Sequence, residues 1–139
     1  MSADGKRLYV AATSEKAIRV FAREPVSGKL DVEFSIPLDG FPDNIEVDKS
    51  GILYVASMPK ALTYLAHSND GNRHAATQIV KVSLAGMRDY KINELFADDG
   101  GLIDAATVAA PFKGGMLLGP SKDKRNQVLI CRDNPALAN

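Results

Sequence analysis

This sequence is poor in the residues that usually announce chemistry. It has one cysteine, Cys131, so no internal disulfide framework exists. It has two histidines, His67 and His74, and two imidazoles without a third ligand make a poor zinc site. Neither sign of charge is in excess: 17 Lys and Arg balance 17 Asp and Glu. No global field therefore favours nucleic acid or an anionic membrane as partner. No apolar run approaches the ~20 residues that span a bilayer. Met1-Ser2-Ala3-Asp4-Gly5-Lys6 lacks the apolar segment of a signal peptide, and localisation is left unassigned. Gly-rich phosphate loops, the nucleophile elbow of serine hydrolases and zinc-type Cys/His spacing are all missing. Helix signals are nearly absent.

What is present is strand grammar. The chain of 139 residues, 45% hydrophobic and 24% charged, suits one modest globular domain with a real core. Ile45 and Val47 alternate with Glu46 and Asp48, the period of a strand with one wet face. A turn at Lys49-Ser50-Gly51 leads into the apolar run Ile52-Leu53-Tyr54-Val55. Asp4-Gly5-Lys6-Arg7-Leu8-Tyr9-Val10-Ala11 repeats Lys49-Ser50-Gly51-Ile52-Leu53-Tyr54-Val55-Ala56 at an interval of about 45 residues, a propeller-blade period. Phe112 to Gly119 is a weaker third copy. Each copy leads to a further strand, at Ala17–Phe21, Gln78–Val82 and Gln127–Cys131. Leu30–Ile36 and Tyr90–Phe96 supply others. Ala61–His67 and the polar loop Ser68–Arg73 read as an insertion.

These patterns predict an all-β fold: a partial β-propeller of about ten strands, in two to three four-stranded blades over residues 1–132. Residues 133–139 read as a disordered tail. A blade buries one face against each neighbour, and neither end of this row carries a polar cap. The row is expected to belong to a larger ring or to complete itself by self-association through edges at Leu8–Val10 and Gln127–Cys131.

Few residues qualify as chemistry-bearing. Asp43-Asn44 is either an Asx turn entering a strand or a pair of hard oxygen ligands. Asp98-Asp99-Gly100-Gly101 with Asp104 reads as a wet turn between blades, since carboxylates this close repel without a cation. His67 and His74 read as surface residues. Lys122, Lys124 and Arg125 read as a solvated hairpin tip, and Cys131 as a packed strand thiol.

Several of these phrases also mark a family. Pro42-Asp43-Asn44-Ile45-Glu46-Val47-Asp48, Gly51-Ile52-Leu53-Tyr54-Val55 with Pro59, Leu95 to Gly101 and Thr107 to Gly119 resemble the paraoxonase/arylesterase family. The resemblance implies the C-terminal portion of a six-bladed propeller that hydrolyses lactones and aryl esters with calcium. It implies that Asp43 and Asn44 are metal ligands facing a central tunnel, with the other ligands and the proposed catalytic histidines on earlier blades. A further active-site histidine of well-known members is replaced by Met58, which exchanges no protons. Cys131 matches a cysteine that in some members bonds to the N-terminal segment. The expected function is thus a segment of a calcium-dependent lactone or aryl-ester hydrolase, inactive alone. The alternatives are a non-catalytic or truncated propeller piece that self-associates, and gluconolactonase- or strictosidine-synthase-like chemistry.

Overall fold

A computed structural model describes residues 1–132 apart from 87, 123 and 126. The tail expected over 133–139 lies outside the described residues. Ten strands appear among them: β1 Arg7–Ala12, β2 Ala17–Arg23, β3 Leu30–Pro37, β4 Phe41–Val47, β5 Leu53–Met58, β6 Thr77–Leu84, β7 Tyr90–Asp98, β8 Ala106–Pro111, β9 Gly115–Pro120 and β10 Leu129–Arg132. They form three antiparallel sheets ordered β1-β2-β3, β4-β5-β6-β7 and β8-β9-β10. The fold is all-β and is consistent with a partial propeller of consecutive blades. Among the described residues only the middle sheet has four strands.

The tight turns follow from local chemistry. Asp48 Oδ1 accepts the Ser50 and Ile52 N–H groups at 2.8 and 3.0 Å, and Gly51 takes φ 81° to close the β4–β5 hairpin. In the β2–β3 hairpin, Glu24 accepts the Val26 and Ser27 N–H groups. These bonds pull its carboxyl down to about 2.

The sheets stack through alternating faces. Ile18, Val20, Phe34 and Ile36 of the first sheet pack on Leu53, Val55, Val80 and Val82 of the second. Ala56 and Ile79, on the opposite face of the second sheet, pack on Ala106, Ala109, Met116 and Leu118 of the third. Leu53 and Val55 thus face one neighbour while Tyr54 and Ala56 face the other, as the period of two requires.

Three readings of the pattern need correction. The Ala61–His67 stretch belongs to a helix, α1 Ala61–Asn69. Its Ala and Leu content favours that conformation, but Lys60 at the N-cap makes no side-chain cap bond. Without Ser, Thr, Asp or Asn there, the usual start signal is missing. β10 begins at Leu129, two residues later than Gln127. β4 begins at Phe41, so Asp43 and Asn44 lie inside the strand instead of in a turn before it.

Candidate functional site at one rim of the sheets

The antiparallel registers place a defined set of segments at one rim. Phe41 pairs with Met58, Thr77 with Asp98 and Ala106 with Pro120. The start of β4, the start of β8, the β5–β6 connection carrying α1, residues 99–105 and the β9–β10 turn therefore share this end. β4 and β8 are the first strands of their sheets and lie side by side.

Asp43 and Asn44 occupy a bulge. Pro42 pairs with Ser57 and Ile45 with Val55, so two residues of β4 oppose Ala56 alone. A bulge bends its strand and re-aims the extra side chain. β8 has a matching irregularity between Ala106 and Val108, at Thr107. The two meet: Asn44 Nδ2 donates to Thr107 O at 2.8 Å. That bond uses the donor end of the exposed carboxamide and leaves its oxygen without a protein hydrogen bond among the described residues. Asp43 is half-buried, and no protein donor reaches its carboxylate among the described residues. Burial alone pushes its pKa up. The result is two adjacent oxygen donors, one of them a partly desolvated carboxylate with nothing to compensate it.

That chemistry fits a hard cation in kind. Calcium takes six to eight oxygens, so two donors are a partial set. Among the described residues no three His, Cys, Asp or Glu side chains cluster as metal ligands. Met58 is 5% exposed and lies at the end of β5, where it packs as a core residue. Ser57, opposite Pro42, holds a buried hydroxyl without a hydrogen-bond partner among the described residues and lies against Gly40, where any Cβ would strike its Oγ.

A polar clasp, not read from the sequence, supports the rim. Asp104 is 5% exposed instead of wet. Its carboxylate accepts Ala75 N–H at 2.8 Å and Arg125 Nη2 at 2.9 Å, with His74 Nδ1 at 3.2 Å. Arg125 Nη1 also donates to Gly101 O at 2.8 Å, so this residue is no free hairpin tip. Gly100 adopts φ 105° with Asp104 Oδ1 and Ala75 N where a Cβ would stand, which only glycine accommodates. Asp98 shapes the same loop by accepting N–H bonds from Gly100, Leu102 and Ile103.

His67 is also a correction: it is 1% exposed, not a surface residue. Its Nδ1 lies 2.5 Å from Arg73 O and its Nε2 2.5 Å from Lys122 O, so the ring ties α1 to the β9–β10 turn. The only signal for this was the apolar company of His67 in the sequence. His74, with its side chain 66% exposed, sits where the sequence put it. Cys131 is half-buried in β10 beside the second core cluster, and burial pushes its thiol up, away from reactivity.

The class of protein these features define is an all-β array of stacked, repeated sheets with an oxygen-donor pair on the first strand of the middle sheet. The arylesterase family model matches residues 1–131, and the chain belongs to that family. It is 26% identical over 120 residues to human serum paraoxonase/arylesterase 1, covering 86% of this chain and 33% of that protein. The rat and mouse proteins of the same name are each 27% identical over the same coverage. The chain therefore spans about a third of the length of the curated relatives it matches. No helix among the described residues is long and apolar enough to cross a membrane.

Proposed function

We propose that these residues are one segment of a calcium-dependent hydrolase of lactones and aryl esters, with Asp43 and Asn44 as its contribution to the metal site. One observation carries the reading: Asp43 is desolvated without a compensating donor, beside a carboxamide whose NH2 group is already tied to Thr107. A carboxylate in that condition gains most from a bound cation. In the complete protein the calcium would supply Lewis-acid polarisation of the ester carbonyl. Within this chain, the β4 bulge aims the donor pair, the Asn44–Thr107 bond fixes the carboxamide, and the Asp104 clasp holds the loop leading into β8. None of these groups moves a proton, and Met58 stands where the resemblance places a histidine. General acid–base work therefore falls to residues outside this chain.

The test uses the 139-residue chain with a phenyl ester and a lactone, with calcium and with chelator. The expected result is no calcium-dependent turnover, because the donor set is incomplete. In the complete protein, Asp43→Ala and Asn44→Ala should each weaken calcium binding at least ~10-fold by calorimetry. Unchanged calcium affinity in both variants overturns the assignment. Chelator-sensitive turnover by the 139 residues alone overturns the claim of incompleteness.

A second reading is a non-catalytic propeller piece that acts by self-association. The apolar faces left open on the two end sheets favour it.

A further inference from the structure

The donor pair on β4 is braced by β8, and β8 is braced in turn by the middle sheet. Asn44 Nδ2 donates to Thr107 O. Thr107 is the extra residue of the β8 bulge, since Ala106 pairs with Pro120 and Val108 with Gly119. An extra residue is left out of the ladder, so pairing with β9 does not by itself fix where its carbonyl points. A second support is needed for that carbonyl to meet Asn44.

Residues 75–77, at the start of β6, supply it. Ala75 N–H donates to Asp104 Oδ1 at 2.8 Å, Ala105 N–H to Ala75 O at 3.1 Å, and Ala106 N–H to Thr77 Oγ1 at 2.9 Å. Thr77 Oγ1 donates in turn to Ile103 O at a longer 3.4 Å. Thr77, Ala105 and Ala106 are all 0% exposed, so water does not compete for these bonds. Between them stands Ala105 at φ 44°, a left-handed conformation that a residue with a Cβ keeps only where its surroundings over-determine it. Such strain collects at ligand sites, and here it lies two residues before the carbonyl that fixes Asn44. Of the three ties, the Thr77 hydroxyl is the nearest in sequence: it grips the residue next to Thr107, whereas Asp104 and Ala75 anchor the loop behind it.

We propose that Thr77 is a positioning residue for the metal donors. By holding Ala106 N–H, its hydroxyl sets the Thr107 carbonyl, which keeps the Asn44 NH2 engaged and leaves the carboxamide oxygen for a cation. The inference rests on the calcium reading of Asp43 and Asn44. A carboxamide released from Thr107 can turn over and offer its NH2 instead, which no cation accepts. Groups that orient metal ligands from behind are worth about 10–100-fold in affinity.

The test is calorimetric calcium titration of the complete protein. Thr77→Val keeps the shape and removes the accepting oxygen, and should weaken calcium binding at least ~10-fold. Thr77→Ser, which keeps the hydroxyl, should bind as the wild type does. Thr77→Val added to Asn44→Ala should cost no further affinity, because the bond it supports is already gone, whereas independent effects would add. Should Thr77→Val lose its β-sheet circular dichroism, Thr77→Ala replaces it, with the same loss expected. Wild-type affinity in Thr77→Val, a Thr77→Ser as weak as Thr77→Val, or full additivity with Asn44→Ala each overturns the role of Thr77. Unchanged affinity in both Asp43→Ala and Asn44→Ala is a different failure: it removes the donor-pair reading, and this inference with it.

Discussion

The middle sheet and its two neighbours are built from one repeated phrase and reach different environments. Leu53 and Val55 are fully buried, while Leu8 is half-buried and Val10 39% exposed at the same repeat positions. The phrase supplies a strand with two apolar faces, and the number of neighbours decides how many of those faces lose water. Burial near 25 cal/mol per Å2 then makes one position costly to alter and its twin cheap.

The largest break in this comparison is Leu53→Ala, expected to cost about 2–5 kcal/mol in urea unfolding. The equivalent Leu8→Ala should cost roughly 1 kcal/mol in dilute protein. Equal costs would mean that the first sheet is as enclosed as the second. The rim offers the next contrast, between two acids of one loop. Asp104→Ala removes the acceptor of the Ala75 N–H and of Arg125 Nη2 and should cost about 1–3 kcal/mol. Asp99→Ala, at an exposed position, should stay within about 0.5 kcal/mol. Similar losses for both would remove the clasp from the account.

The smaller effects come from two carboxyls shifted in opposite directions. Asp43 has a raised folded pKa, so the folded state holds its proton more tightly than the unfolded chain does. Its favourable contribution is complete below the ordinary value of 3.8 and is lost as pH rises through the raised folded value. In chelator, Asp43→Asn should therefore raise the urea midpoint at neutral pH, with the gap closing below ~pH 4. A lower midpoint for the variant would mean that the carboxylate has a partner after all. Glu24, at about 2, contributes above its ordinary value of 4.5 and loses that contribution as pH falls through about 2. Glu24→Gln should flatten the acid end of the stability profile slightly, and an unaltered profile would show the hairpin indifferent to this residue.

Strand periodicity and Gly turns made the sheets legible because both are local: side chains alternate within one strand, and Gly51 at φ 81° answers only to its own hairpin. β8 was not read from its pattern, since Ala106-Thr107-Val108-Ala109-Ala110 lacks polar alternation while packing on the middle sheet. α1 was missed because its N-cap is Lys60, a residue type with no capping preference. Asp43-Asn44 was visible as a pair. Its place in a bulge was not, because a bulge is defined by the partner strand, here by Ala56 standing opposite two residues.

The amino-acid order alone settled that the chain is all-β, that its strands recur as one unit, and that Asp43 and Asn44 are adjacent oxygen donors. Each of these depends on neighbours a few residues apart. Only the tertiary structure decided that His67 and Asp104 are buried, that Arg125 serves Asp104, and that Asn44 spends its NH2 on Thr107. Those contacts join residues 21 to 63 positions apart, and a hydrogen bond between such distant positions leaves no periodicity to read.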